Sequence, residues 1–146
     1  SIMIRLNNGA KGSLSISQVA TGEENNFTVA IYGDKGALKW SQENPNYATF
    51  SQLGEGSQII TRGGSIKVEG TKANVRIPAG HPEGYLEAFA QIYSDAADVI
   101  QNKENKEELL KLLPNIDDGL HIMKFINASV DSSSKDSKWI NLSEIK

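Results

Sequence analysis

The chain has 146 residues, 38% hydrophobic and 23% charged, a balance that suits one globular domain with a buried core and excludes disorder as its dominant state. It contains no cysteine, which removes disulfides, thiolate zinc sites, iron–sulfur clusters and a cysteine nucleophile together, and its two histidines are too few for a histidine-rich metal centre. A net charge of -3 argues against a nucleic-acid footprint, and no apolar run approaches the ~20 residues of a membrane-spanning helix.

The first half reads as strands. Ile2–Leu6 is a short apolar run, and Asn8-Gly9 after it is a hairpin dipeptide because both residues tolerate positive φ. Over Gly12–Ala20, Leu14 and Ile16 alternate with Ser13, Ser15 and Ser17, the period of a half-buried strand. A polar turn at Glu23–Asn26 leads into a strand over Phe27–Tyr32. Gly33-Asp34-Lys35-Gly36 turns the chain into Ala37–Ser41, which carries Leu38 and Trp40 on one face. Tyr47–Leu53 and Ser57–Arg62 form a further hairpin, with Gly54 and Gly56 at its bend. Short loops between such strands predict an antiparallel meander.

A glycine-rich connector from Gly63 to Gly80 follows, with room for a short strand over Val75–Ile77. From Glu83 the apolar residues Leu86, Phe89, Tyr93, Ala96, Ala97 and Ile100 step by three and four, which predicts a helix burying that stripe; Pro82 suits its first turn. The charge-dense segment Asn102–Leu113 is helical in part and Pro114 punctuates it. Asp117 or Asp118 starts another helix, with Leu120, Met123, Ile126 and Val130 as its buried stripe and Ser132-Ser133-Ser134 as its end. Trp139–Leu142 reads as a last short strand. Strands first and helices second predict an α+β domain: a largely antiparallel open sheet with helices packed on one face, the other face solvated or an interface.

The densest chemistry lies in Pro78-Ala79-Gly80-His81-Pro82-Glu83-Gly84-Tyr85. It puts an imidazole, a carboxylate and a phenol at a helix start, stiffened by prolines and freed by glycines. Such a loop suits His81 to a proton relay or to a hydrogen bond with a sugar hydroxyl; the plainer reading is a helix-entry loop with a carboxylate on the helix dipole. Arg62, before Gly63-Gly64, suits an anion, although pairing with a surface carboxylate is the commoner use of a strand-end arginine. His121 beside Asp117 and Asp118 reads as a surface histidine, since a metal needs more ligands than that cluster offers. Gly33–Gly36 lacks both the spacing and the strand-to-helix context of a phosphate loop. The triplets at Asn26, Asn127 and Asn141 match the glycosylation pattern and mean little by themselves. There is no Gly-x-Ser-x-Gly elbow and no Gly-x-Gly-x-x-Gly opening a βαβ unit.

Blocks of the chain resemble, in order, the C-terminal domain of the Gfo/Idh/MocA oxidoreductases. They are Asn8-Gly9-Ala10-Lys11-Gly12-Ser13-Leu14-Ser15 with Ser17-Gln18-Val19-Ala20, then Ile31 to Trp40, Gly80 to Ala90, and Pro114 to Leu120; the helix and tryptophan-containing tail over Leu120–Leu142 agree. The resemblance implies that residues 1–146 form one C-terminal substrate-binding and oligomerisation domain. It implies a partner Rossmann domain, absent here, that holds NAD or NADP, and hydride transfer with a sugar or polyol. The family's Glu-Lys-Pro lysine and its Asp-x-x-x-His helix are not matched in this chain; Asp117 to His121 lies in a different block. No catalytic, cofactor-binding or metal residue is therefore assigned here, turnover is not expected of the chain alone, and a segment is expected before Ser1.

The leading expectation is the C-terminal half of an NAD(P)-dependent sugar or polyol dehydrogenase, with His81, Glu83, Tyr85 and Arg62 near the substrate and a homo-oligomer formed through the open sheet face. It involves neither nucleic acid nor membrane. The alternatives are a non-catalytic structural or oligomerisation module, and a carbohydrate-binding module using Trp40, Tyr47 and Phe50, of which Trp40 reads better as core because it shares a face with Leu38. The absence of cysteine fits a cytoplasmic location, with export left open.

Overall fold

Two tight turns and one sheet register place most of the strands. The computed structural model describes residues 1–64, 75–101 and 106–145. Strand β1 (Ile2–Arg5) pairs antiparallel with β2 (Lys11–Leu14), Ile2 opposite Leu14 and Ile4 opposite Gly12. The turn between them is the expected one: Gly9 sits at φ +89°, and Asn8 Oδ1 accepts the Ala10 N–H at 3.1 Å. The strand expected to run to Ala20 stops at Leu14. β1 offers no partner beyond that point, and Ser17 Oγ takes the Val19 N–H at 3.2 Å, a local bond that competes with a ladder.

The second sheet is the meander the spacing predicts, in the order β3 (Thr28–Tyr32), β4 (Gly36–Ser41), β5 (Tyr47–Gln52), β6 (Ser57–Thr61). Val29 faces Trp40, Ile31 faces Leu38, Leu38 faces Phe50 and Ala48 faces Ile60, so one side of the sheet is apolar. Thr28, Lys39, Ser41, Thr49, Ser51 and Ser57 occupy the other side. Trp40 is half-buried, meets Phe27 edge to face at 6.1 Å, and donates its indole N–H to the Pro45 carbonyl at 3.1 Å. That bond pins the turn between β4 and β5. Gly33–Gly36 closes the β3–β4 hairpin, Gly33 N–H donating to the Gly36 carbonyl at 2.8 Å.

Helix α1 spans Tyr85–Ile100, α2 Lys106–Leu112 and α3 Ile116–Ser134. The cap of α3 is Asn115 and not an aspartate. Its Oδ1 accepts the N–H groups of Asp117 and Asp118 at 2.8 and 3.3 Å, while Asp118 Oδ2 accepts the Asn115 N–H at 2.9 Å. The two aspartates sit just inside it, in the first turn, on the positive end of the helix. His121 therefore lies in the second turn and is exposed. Asp136 and Ser137, both left-handed, close the C-terminus, with Ser137 N–H reaching the Ser132 carbonyl at 2.8 Å.

Trp139–Leu142 is not a strand. Asn141 Oδ1 accepts the Ser143 N–H at 3.1 Å and caps a single 3-10 turn over Leu142–Glu144, while the Arg5 guanidinium lies 4.0 Å over the Trp139 ring. Val75–Ile77 is not a strand either: the Arg76 N–H and the Ile77 carbonyl are bonded to side chains, as described below. Residues 65–74 of the glycine-rich connector, Gly70 included, and residues 102–105 of the charge-dense segment lie outside the described residues.

The chain divides into two compact units, Ser1–Ala20 with Glu104–Lys146 and Thr21–Lys103. Among the described residues only Leu109 and Ala128 are buried hydrophobics. The stripes expected to be buried are present as stripes but open to solvent: Leu86 is 76% exposed, Tyr93 71% and Val130 65%. Periodicity decides which residues share a helix face, whereas burial needs a second element laid over that face.

A Cβ at Gly36 would stand 2.6 Å from the Ser51 carbonyl oxygen, while one at Gly56 meets nothing within 4 Å. Gly36→Ala is expected to destabilise the sheet by about 1–3 kcal/mol and Gly56→Ala to leave stability within ~0.5 kcal/mol, as read by denaturant unfolding.

Candidate functional site

The polar loop begins with a β-turn. His81 N–H donates to the Pro78 carbonyl at 3.2 Å and Gly80 takes φ +85°, the left-handed third position of a type II turn. Pro78 and Ala79 thus lead in and His81 leaves, its side chain exposed. The end of β6 lies close beneath: a Cβ on Gly63 would stand 2.4 Å from the Ala79 Cβ, so a residue without a side chain is needed there.

Arg62, one residue beyond β6, holds the loop. Its Nη1 donates to the Ile77 carbonyl at 2.9 Å, its Nη2 to the His81 carbonyl at 2.8 Å, and its Nε to Asn46 Oδ1 at 3.0 Å. Its Nη1 also contacts Glu83 Oε2 as an ion pair. Glu83 is buried, 7% exposed, its N–H donating to Asn46 Oδ1 at 3.1 Å and its Oε1 accepting the Arg76 N–H at 2.6 Å. The guanidinium fork is filled on both edges, which a lysine would not reproduce. These bonds take the Arg76 N–H and the Ile77 carbonyl away from any strand ladder. They also turn Glu83 toward the sheet, so α1 begins at Tyr85 and not at Glu83, with Pro82 outside it.

The α1 N-terminus is closed by Glu87. Its Oε2 accepts the Gly84 N–H at 3.0 Å, and that bond, followed by its own N–H, holds the carboxyl below its usual 4.5; desolvation opposes this, and the charges of Arg76 and Arg62 add to it. Tyr85 is 70% exposed, its ring 4.8 Å from that of Phe89.

Of the residues expected near a substrate, the structure brings all of them to one place and divides them by exposure. Arg62 and Glu83 are turned on each other and on the backbone, whereas His81 and Tyr85 face solvent. Asn46, with Pro45 and Asn44 in the β4–β5 turn, was not expected from the sequence. Asn-Pro-Asn reads as a turn, and nothing local marks a bond to a residue 37 positions on. Among the described residues no group of three or more His, Cys, Asp or Glu could hold a metal, and no helix is long and apolar enough to cross a membrane.

The described residues thus form antiparallel sheets and helices, with a polar loop clamped at the entrance of α1. The chain belongs to the Gfo/Idh/MocA oxidoreductase family: the family's C-terminal alpha/beta domain matches residues 1–142. It is 32% identical to the oxidoreductase YfiI of Bacillus subtilis over 142 residues, 95% of this chain and 36% of that protein. It resembles an oxidoreductase from Sinorhizobium meliloti with a TM-score of 0.82 at 44% identity, covering 91% of this chain and 37% of that one. An inositol dehydrogenase homolog from Azotobacter vinelandii, complexed with NADH and myo-inositol, superposes with a TM-score of 0.85 at 28% identity, covering 95% and 38%. The chain thus spans little more than a third of these relatives.

Removing the Glu83 carboxylate leaves the Arg62 charge and the Arg76 N–H without their partners. Glu83→Ala is expected to cost about 3 kcal/mol in thermal unfolding. For Glu87 the folded carboxyl is depressed, so its contribution is present above 4.5 and disappears as pH falls through the lowered value. Glu87→Gln is expected to flatten the acid limb of helix content followed by circular dichroism between neutral pH and about 3, leaving the neutral region little changed.

Proposed function

We propose that this domain is the polyol-facing part of a longer NAD(P)-dependent dehydrogenase, in which His81 and Tyr85 hydrogen-bond hydroxyls of a sugar or cyclic polyol. The observation that carries this reading is the clamped loop. Its backbone is tied down at Ile77, His81 and Glu83, while the imidazole and phenol it bears remain exposed. Rigid backbone with free donors and acceptors is what recognition of hydroxyls requires, because less ordering remains to be done on binding. The inositol dehydrogenase homolog supports the substrate class and the nicotinamide cofactor.

The Gly33–Gly36 turn does not form a dinucleotide cradle. Gly33–Gly36 joins antiparallel strands, its Gly33 N–H is used inside the hairpin, and no helix N-terminus follows it. In this reading another part of the longer protein holds the cofactor, and no proton or hydride step is assigned to these residues. Self-association belongs to the same reading: Val29, Ile31 and Leu38 on the apolar sheet face are 42%, 62% and 40% exposed, and such a face favours a protein cover.

In the longer oxidoreductase, with myo-inositol and NAD as probes, His81→Ala is expected to lower kcat/KM for the polyol about tenfold, the equivalent of one hydrogen bond, without changing KM for NAD. Equal kcat/KM values for wild type and variant would remove His81 from the substrate site.

A further inference from the structure

We propose that Asn46 is a positioning residue for the substrate loop, acting through one side-chain oxygen that joins the sheet to the loop. The inference rests on the reading of His81 and Tyr85 given above.

Asn46 Oδ1 accepts two hydrogen bonds from opposite sides: Arg62 Nε at 3.0 Å, from the end of β6, and the Glu83 N–H at 3.1 Å, from the loop. The Asn46 carbonyl accepts the Arg62 N–H at 3.0 Å, so backbone and side chain of one residue grip both ends of Arg62. Asn46 is itself held. The Tyr47 N–H donates to the Asn44 carbonyl at 3.3 Å, and Trp40 Nε1 holds the Pro45 carbonyl at 3.1 Å. The path therefore runs from the half-buried Trp40 ring through the β4–β5 turn to Asn46, then to Arg62 and Glu83, and from Arg62 to the His81 carbonyl. A sheet is stiffer than a loop, and the path ties the backbone of His81 to the sheet.

The geometry makes a chemical distinction. Both groups that Oδ1 receives are donors, so an acceptor is needed at this point and the amide N–H₂ is not used for the clamp. Aspartate keeps that acceptor at the same reach, whereas alanine removes it and leaves the Glu83 N–H and Arg62 Nε without it. Arg62→Lys tests the same path from the other side, since a lysine keeps the charge against Glu83 but cannot reach Asn46, Ile77 and His81 together.

The experiment is steady-state kinetics of the full-length oxidoreductase with myo-inositol and NAD, for Asn46→Ala, Asn46→Asp, Arg62→Lys, His81→Ala and the Asn46→Ala/His81→Ala pair. A misplaced loop weakens polyol binding, so Asn46→Ala and Arg62→Lys are expected to raise KM for myo-inositol about tenfold with KM for NAD unchanged. Asn46→Asp is expected to restore KM to within about twofold of wild type, and the double variant to fall no further than His81→Ala alone. A lowered melting temperature with an unchanged polyol KM in Asn46→Ala and Arg62→Lys overturns the proposal and leaves the His81 site standing. An unchanged KM in His81→Ala, with a raised one in Asn46→Ala, places the loop's contact elsewhere and removes the site reading while the clamp remains. Additive losses in the double variant overturn the path from Asn46 to His81. If Asn46→Ala does not fold, Arg62→Lys and its pairing with His81→Ala decide the same question.

Discussion

The ion pair between Arg62 and Glu83 is the contact on which the loop and the start of α1 depend. A buried carboxylate is tolerated only with a counter-charge and donors, and Glu83 has both in Arg62, the Arg76 N–H and, at its own backbone, Asn46. The consequence is geometric more than energetic. Because the guanidinium also holds the carbonyls of Ile77 and His81, satisfying one charge fixes three points of the loop. Glu83, drawn inward, leaves Gly84 to cap the helix, and Glu87 then closes the free N–H at Gly84. What is left outward is His81 and Tyr85.

The second constraint is the scarcity of cover. The four-stranded sheet has an apolar side and a hydroxyl-rich side, and α1 and α3 each carry an apolar stripe, but the buried hydrophobics among the described residues are Leu109 and Ala128. Apolar faces that are formed but open are the surfaces on which the proposed self-association rests.

Much of this was legible in the residues because it is local. Asn8-Gly9 fixes its own turn, Gly33 to Gly36 its hairpin, and the alternation of Val29, Ile31, Leu38 and Trp40 the sides of the sheet. The α+β order and the family followed from those blocks. The readings that differed did so where a side chain intercepted a backbone group. Ser17 stops β2 from lengthening, Asn141 turns an expected strand into a 3-10 turn, and Asn115 takes the cap expected of an aspartate.

Local chemistry in the sequence therefore determined the elements, the turns and the presence of a rigid polar loop, since each depends on dihedral preference and on neighbours a few residues apart. Tertiary structure decided how that loop's residues divide their work. Arg62, Glu83 and Asn46 come from three separate elements, and which of them is spent on holding the loop depends on distances set only when β6, the β4–β5 turn and the start of α1 meet. No periodicity records a bond between residues 37 positions apart, which is why Asn46 came to light only in the folded chain.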